Sequence, residues 1–231
     1  MASRYLAAGM VMFPALTQAA CTTRAACADV HLFLARGTTE SYPGLLGSLT
    51  TLVTDAINGS TYENILYPAT QEGSTPSYQE GIANGTAQVK AYAEACPDSK
   101  LVLLGYSQGA MVVGDMLAGG GDGAGNTLGN YTSPTIDPDT LGSQIAAILL
   151  YGDPRHTANQ TYNVGDVAAT GKYPRTADQI AALAKYSDRL HDYCDDLDGV
   201  CDAAGSNLTA HTAYAKIWDT TAAAWLEDIL A

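Results

Sequence analysis

Residues 100–118 read KLVLLGYSQGAMVVGDMLA. The apolar run at the start predicts a buried strand, and the pattern after Gly109 predicts a helix. Between them lies G-x-S-x-G, at residues 105–109, which in this context forms a sharp turn that exposes a serine hydroxyl. Glycine is needed on both sides because a side chain there would collide with the crossing strand and helix. Ser107 is therefore the candidate nucleophile, the alternative being a structural turn whose serine has no role.

Apolar, strand-type segments recur along the chain and alternate with helical patterns. This alternation predicts a three-layer α/β/α domain with a mostly parallel five-stranded sheet. Ligands bind such sheets at the carboxyl ends of the strands, and Ser107 lies at one of these ends. The predicted strands cover residues 29–35, 64–67, 101–105, 145–151 and 189–193. The predicted helices are a run within residues 42–58 (LLGSLTTLVTDAI), residues 78–95, the segment after Ser107, and about residues 210–230.

The chain has 231 residues, which is enough for one α/β domain and short for two. We expect a single domain at residues 21–231. Twenty-four acidic residues against eleven basic ones give a net charge of −13. This balance argues against nucleic acid or an anionic membrane as a partner, and we expect a monomer.

The first twenty residues, MASRYLAAGMVMFPALTQAA, have the order of a secretory signal peptide. One basic residue, Arg4, precedes an apolar stretch at residues 5–16, and small residues follow at Ala19 and Ala20. We therefore predict a signal peptide at residues 1–20 and a secreted, extracellular protein. N-glycosylation motifs support passage through a secretory pathway; they begin at Asn58, Asn84, Asn130, Asn159 and Asn207.

The five cysteines predict disulfides in an oxidising compartment. Cys194 and Cys201 are close enough to close a small loop, and Cys96 has either Cys27 or Cys21 as its partner. No paired cysteine or histidine spacing of a zinc site occurs, so we expect no metal.

A serine hydroxyl becomes a good nucleophile only when a base removes its proton, and a carboxylate usually holds that base. In hydrolases with a G-x-S-x-G turn, the three residues follow one another along the chain in the order serine, acid, histidine. His211 opens the last helix and is the favoured base, with His156 and His191 as alternatives. The acid is either Asp153, at the end of an apolar strand, or Asp198, inside the predicted disulfide loop. The residues alone leave these two open, and the other carboxylates in reach are interpreted as solvated loop charges: Asp195, Asp196 and Asp202.

An ordered set of segments resembles the cutinase and acetylxylan esterase family, which is carbohydrate esterase family 5. The set spans residues 27–230 and comprises CADVHLFLARGTTE from Cys27, YPA from Tyr67, CPDSKLVLLGYSQG from Cys96, LLYGDPRH from Leu149, and a C-x6-C loop followed by a histidine. The resemblance implies a minimal, lidless α/β-hydrolase that cleaves carboxylic esters through an acyl-enzyme.

The resemblance also implies roles for individual residues. The family's acid lies four residues after the first cysteine of the small loop, at Asp198, and its histidine lies thirteen residues further on, at His211. Asp153 then becomes a structural acid. The oxyanion hole would use the backbone N–H of Gln108 and a donor from Thr38.

Two further expectations follow from the resemblance. It pairs Cys27 with Cys96 and leaves Cys21 without a partner. The implied chemistry requires no cofactor, since the nucleophile, base and acid are all side chains.

The composition of the two loops expected to line the site indicates the class of substrate. Residues 198–211, DGVCDAAGSNLTAH, are small and polar apart from Val200 and Leu208, and residues 68–77, PATQEGSTPS, contain no large aliphatic side chain. A polar rim favours a short acyl group on a carbohydrate, and the two loops resemble the acetylxylan esterase branch. We therefore expect a polysaccharide substrate, acetylated xylan. The alternatives are a cutinase or general short-chain esterase that acts on a polyester, and a non-catalytic wall-binding protein on an esterase fold.

Overall fold

The computed structural model describes residues 27–71, 76–122, 128, 130–165, 167 and 169–231. The predicted signal peptide and Cys21 lie outside the described residues. Within those ranges, no helix combines the length and the apolar character needed to cross a membrane.

The centre of the fold is a parallel sheet of six strands in the order β2-β1-β3-β4-β6-β5. The three-layer prediction is confirmed, and the predicted count of five strands is wrong by one. The additional strand, β5, has only two residues at the sheet edge, too few to show a periodic pattern. The strands are β1 (Val30–Ala35), β2 (Thr61–Asn64), β3 (Lys100–Tyr106), β4 (Ile145–Tyr151), β5 (Asn163–Val164) and β6 (Leu190–Tyr193).

Helices cover both faces of the sheet and make two separate cores. On one face α2, α3 and α4 pack over residues such as Phe33 and Leu103, and on the other α1 and α6 pack over Leu32 and Leu104. Strands buried on both faces are continuously apolar, which explains the uninterrupted run in β3. The helices are α1 (Leu46–Ala56), α2 (Pro76–Ala95), α3 (Gln108–Ala118), α4 (Ala177–Leu183), α5 (Leu208–His211) and α6 (Tyr214–Leu230).

The turn between β3 and α3 has almost no free space at its glycines. A Cβ on Gly105 would lie 2.7 Å from the Cα of Ala110, and a Cβ on Gly109 would overlap the carbonyl oxygen of Ala35. Ser107 between them has φ 53° and ψ −118°, a conformation that L residues rarely adopt. The turn therefore projects the Ser107 side chain beyond the end of the sheet.

Because all six strands run parallel, their carboxyl ends lie at one edge of the sheet. The segments after β1, β3, β4 and β6 meet there, which brings residues from distant parts of the sequence together. Two disulfides stabilise the fold: Cys27 is joined to Cys96, and Cys194 to Cys201. The second closes the loop that follows β6.

Candidate active site

The side chains of Ser107, His211 and Asp198 form one hydrogen-bonded line. The distance from Ser107 Oγ to His211 Nε2 is 2.8 Å, and the distance from His211 Nδ1 to Asp198 Oδ2 is also 2.8 Å. The imidazole thus bridges the hydroxyl and the carboxylate with its two ring nitrogens. This is the arrangement in which a histidine can take the serine proton while a carboxylate holds the ring.

Asp198 is fully buried, and several donors satisfy its carboxylate. Its Oδ1 accepts the backbone N–H of Val200 at 2.8 Å. Its Oδ2 accepts the hydroxyl of Tyr214 at 2.7 Å in addition to the His211 ring. A buried charge is tolerated only when it is paired and hydrogen-bonded, so these contacts keep Asp198 in a fixed orientation.

Contacts with the cap of α5 and with Tyr106 hold His211 in position. It ends the short helix α5, whose first turn is capped by the side chain of Asn207. The hydroxyl of Tyr106, next to the nucleophile, donates to the backbone carbonyl of His211 at 2.9 Å. Gly152, after β4, leaves room for the ring, since a Cβ there would lie 3.1 Å from His211 Nδ1.

Thr38 and Gln108 lie next to each other beside Ser107. The Gln108 side-chain amide donates to Thr38 Oγ1 at 3.3 Å and to the carbonyl of Thr70 at 2.9 Å. Its oxygen accepts the hydroxyl of Ser77 at 2.9 Å. Because Thr38 Oγ1 is an acceptor in this contact, its own hydrogen can point toward a ligand. Gln108 is also the first residue of α3, where the helix leaves backbone N–H groups unpaired.

A clamp that the sequence analysis missed holds the Thr38 loop in place. The Glu40 carboxylate accepts the backbone N–H groups of Gly37 at 2.7 Å and Leu45 at 3.0 Å. The buried Arg36 donates to the Glu40 carbonyl at 2.6 Å and to the carbonyl of Pro68 at 3.0 Å. The only sequence signal for this clamp is the charged pair that flanks Gly-Thr-Thr in RGTTE.

The other candidate residues lie away from this line. Asp153 is fully buried and pairs with Arg175 at 2.6 Å, and its second oxygen accepts the backbone N–H of Arg155 at 2.9 Å. His156 pairs with Asp192 at 2.8 Å inside the protein. The remaining two histidines stack on aromatic rings: His191 on Trp225 and His31 on Tyr92.

The surroundings of two tyrosines beside the line favour the protonated form of each phenol. Burial, reinforced by the negative charge of Asp198, raises the pKa of Tyr214 far above its ordinary value. Burial, together with the charges of Glu40 and Asp198, does the same to the pKa of Tyr106. Both hydroxyls therefore act as neutral hydrogen-bonding groups near neutral pH.

Two exposed leucines lie in the segments that carry Asp198 and His211. Leu208 is 68% exposed and Leu197 is 55% exposed. The backbone N–H of Asn207 donates to the Leu197 carbonyl at 2.9 Å, so the two leucines lie in adjoining backbone segments. Leu197 lies one residue before the polar loop predicted at residues 198–211. Of the other predicted rim, residues 72–75 lie outside the described part of the chain.

A family model, curated relatives and solved structures all relate this chain to cutinases and acetylxylan esterases. The sequence model of the Cutinase family matches residues 26–230. The chain is 33% identical to Cutinase 11 of Verticillium dahliae, over 86% of this chain and 68% of that protein. It is 35% identical to Acetylxylan esterase 2 of Talaromyces purpureogenus, over 88% of both chains. The solved catalytic core domain of acetyl xylan esterase from Trichoderma reesei superposes with a TM-score of 0.74 at 32% identity, over 88% of this chain and 99% of that one.

Proposed function

The chain belongs to the cutinase family and is a carboxylic ester hydrolase, and we propose that it is a secreted serine esterase that removes acetyl groups from acetylated xylan. The observation that carries the catalytic part is the continuous line Ser107–His211–Asp198, with 2.8 Å at each contact. Both distances lie within the range required for proton transfer between a nucleophile, its base and the orienting acid.

In the first half of the reaction, Ser107 Oγ attacks the ester carbonyl while His211 Nε2 takes the hydroxyl proton. Asp198 stabilises the resulting imidazolium and keeps Nε2 directed at the serine. The carbonyl oxygen becomes an oxyanion, which accepts hydrogen bonds from the Gln108 N–H and from Thr38. Each such donor contributes roughly 3 kcal/mol to the stability of the transition state. His211 then gives its proton to the sugar oxygen, and the deacetylated sugar leaves.

The second half releases the acyl group. A water molecule takes the place of the sugar. His211 Nε2 accepts a proton from this water while the water oxygen attacks the carbonyl carbon of the acetyl group bound to Ser107 Oγ. The tetrahedral species again places its negative oxygen on Gln108 and Thr38. The bond to Ser107 Oγ then breaks, His211 returns its proton to the serine, and acetic acid departs.

The polar surroundings of the nucleophile support a carbohydrate ester. The Gln108 side-chain amide and the Thr38 hydroxyl are hydrogen-bonded to each other beside Ser107. Hydroxyl and amide groups of this kind can bind sugar hydroxyls. Relatives named as acetylxylan esterases, at 34% and 35% identity, support the same substrate. The two disulfides suit an oxidising extracellular compartment. We propose that the enzyme acts there as a monomer on the polysaccharide.

A second candidate is a cutinase, and Leu197 and Leu208 favour it. Two neighbouring exposed leucines beside the histidine could contact an acyl chain much longer than acetyl, since burial of each contributes about 1.5–3 kcal/mol. Relatives named as cutinases support this alternative. The two candidates share the same chemistry and differ in the group that the rim contacts.

The catalytic proposal is tested with purified protein and p-nitrophenyl acetate. We expect turnover by the wild type and a loss of at least about 10³-fold in Ser107→Ala. Wild-type turnover that persists in Ser107→Ala would exclude this serine as the nucleophile. Absence of turnover in the wild type, with retention on insoluble wall polysaccharide, would support the non-catalytic alternative.

The substrate proposal is tested by comparing acetate release from acetylated xylan with hydrolysis of p-nitrophenyl decanoate. We expect xylan to be the better substrate. Leu208→Ser should then leave xylan deacetylation unchanged, as should Leu52→Ser, a control on α1 that is 42% exposed. If decanoate is the better substrate and only Leu208→Ser reduces its hydrolysis, the enzyme is a cutinase.

A further inference from the structure

Tyr214 contacts the same carboxylate oxygen as the active-site histidine. Its hydroxyl lies 2.7 Å from Asp198 Oδ2, and His211 Nδ1 lies 2.8 Å from that oxygen. On the basis of the proposed serine-esterase function, we propose that Tyr214 is a positioning residue that orients Asp198 and sets how strongly His211 holds its proton.

The direction of the Tyr214 hydrogen bond is fixed by its surroundings. The phenol has one hydrogen and three polar neighbours: Asp198 Oδ2, the Asp195 N–H at 3.1 Å and Cys201 Sγ at 3.1 Å. The Asp195 N–H donates to the phenol oxygen. Cys201 is bonded to Cys194 and offers only a weak sulfur acceptor. The hydrogen therefore goes to the carboxylate.

A donor on Oδ2 affects the histidine through the carboxylate. It stabilises the negative charge on that oxygen, so Asp198 attracts the proton on His211 Nδ1 less strongly. It also prevents the carboxylate from rotating, which keeps Nε2 directed at Ser107. Removing the Tyr214 hydroxyl should have two separable effects. The His211 imidazolium becomes more stable, and the imidazole ring of His211 is held less firmly toward Ser107.

No basic side chain competes for this carboxylate within the described ranges. None of the ion pairs there joins a lysine or arginine to Asp195, Asp198 or Asp202. Lys172 contacts this loop through its backbone, since its N–H donates to the Val200 carbonyl. Two titratable side chains contact the Asp198–His211 pair directly, Tyr214 and Tyr106. Around them, Glu40 acts on Tyr106, and Asp192 and Tyr151 act on Tyr214. Asp195 and Asp202 are joined to Asp198 through backbone hydrogen bonds.

Tyr106 provides a matched control for Tyr214. Its hydroxyl also lies in the site and donates a single hydrogen bond, but the acceptor is the backbone carbonyl of His211. Its ring packs against the imidazole at 5.4 Å between centroids. Tyr214→Phe and Tyr106→Phe therefore remove the same atom from neighbouring rings, and only the first removes a donor from Asp198.

The experiment measures kcat and KM for p-nitrophenyl acetate across the acidic limb of the pH profile. For Tyr214→Phe we expect the midpoint of the kcat/KM limb to rise by about 0.5 pH unit. We also expect the plateau kcat to fall roughly tenfold, with KM unchanged, since a slightly misplaced base slows chemistry rather than binding. Tyr106→Phe should lower the rate without moving the midpoint.

A second variant guards against loss of folding in Tyr214→Phe. Replacing Tyr214 with 3-fluorotyrosine keeps the ring and makes the phenol a stronger donor, so the midpoint should move in the opposite direction, to lower pH. The NMR resonance of the His211 Nδ1–H should shift oppositely in the two variants. An unchanged midpoint in both Tyr214 variants, or an equal shift in Tyr106→Phe, would overturn the proposal. Ser107→Ala tests the esterase proposal separately, because its inactivity does not depend on Tyr214.

Discussion

Gly109 offers a strict test of why the turn around Ser107 needs its glycines. A Cβ at this position would lie 2.7 Å from the carbonyl oxygen of Arg36 and would overlap that of Ala35. Carbon–oxygen contacts between backbones normally lie at about 3.3 Å or more. The start of α3 must therefore move away from the end of β1 by more than about 0.6 Å.

This displacement affects both stability and catalysis. Forcing an extra methyl group into a well-packed region costs about 1–3 kcal/mol of unfolding free energy. The same movement separates the Gln108 N–H from Thr38, which lies two residues beyond Arg36. Misplacing catalytic groups by about 1 Å reduces the rate by roughly 10²-fold. Gly109→Ala should show both losses.

The assays are urea unfolding and kcat/KM for p-nitrophenyl acetate. Gly59→Ala is the control: Gly59 has φ +80°, a conformation that L residues rarely adopt, but a Cβ there meets no atom within 4 Å. It should cost about 1–2 kcal/mol of stability through the backbone alone and leave kcat/KM unchanged. A Gly109→Ala enzyme with wild-type stability and a kcat/KM within about threefold of wild type would refute the reasoning.

Two further predictions distinguish the buried acids and histidines. Asp198→Asn should lower kcat by roughly 10⁴-fold. Asp153→Asn should instead lower the unfolding free energy by about 1–3 kcal/mol, because Arg175 loses one of its two carboxylate partners and keeps Asp115. A larger kcat loss in Asp153→Asn would reverse the assignment. Burial lowers the pKa of His156, but the charge and hydrogen bond of Asp192 outweigh burial and raise it above the ordinary value. The contribution of His156 to stability is therefore present below about pH 6.5 and is lost as pH rises through the raised pKa. Urea unfolding between about pH 6 and 9 should show this decline in the wild type and not in His156→Gln; an equal slope in both would contradict it.

Local patterns predicted the framework well, because each depends on neighbouring residues. The apolar β3 followed by Gly105 and Gly109 predicts a strand, a tight turn and a helix without any tertiary information. The second predicted strand, at residues 64–67, is observed at Thr61–Asn64. This strand has exposed or half-buried side chains, so its sequence lacks the apolar pattern on which the prediction depended.

The contacts around the site could not be predicted in the same way. The Glu40 clamp and the Tyr214 hydrogen bond join groups whose partners are backbone amides or side chains on other elements. Leu197 is an ordinary residue in a polar loop until the fold exposes it beside Leu208. A propensity or a periodicity carries no information about such contacts, because they depend on how separate elements pack.

The residues around Ser107 were enough to predict the strand-turn-helix, because the apolar run, the flanking glycines and the helical pattern are adjacent in the chain. The residues alone left open which acid contacts His211; the resemblance pointed to Asp198, and the packing of the strand ends gives the physical reason. Asp153 and Asp198 both follow strands that end at the same edge of the sheet, and their side chains are chemically identical. Asp153 forms an ion pair with Arg175 in the core and does not contact His211. Asp198 is carried by the disulfide loop to within 2.8 Å of the imidazole.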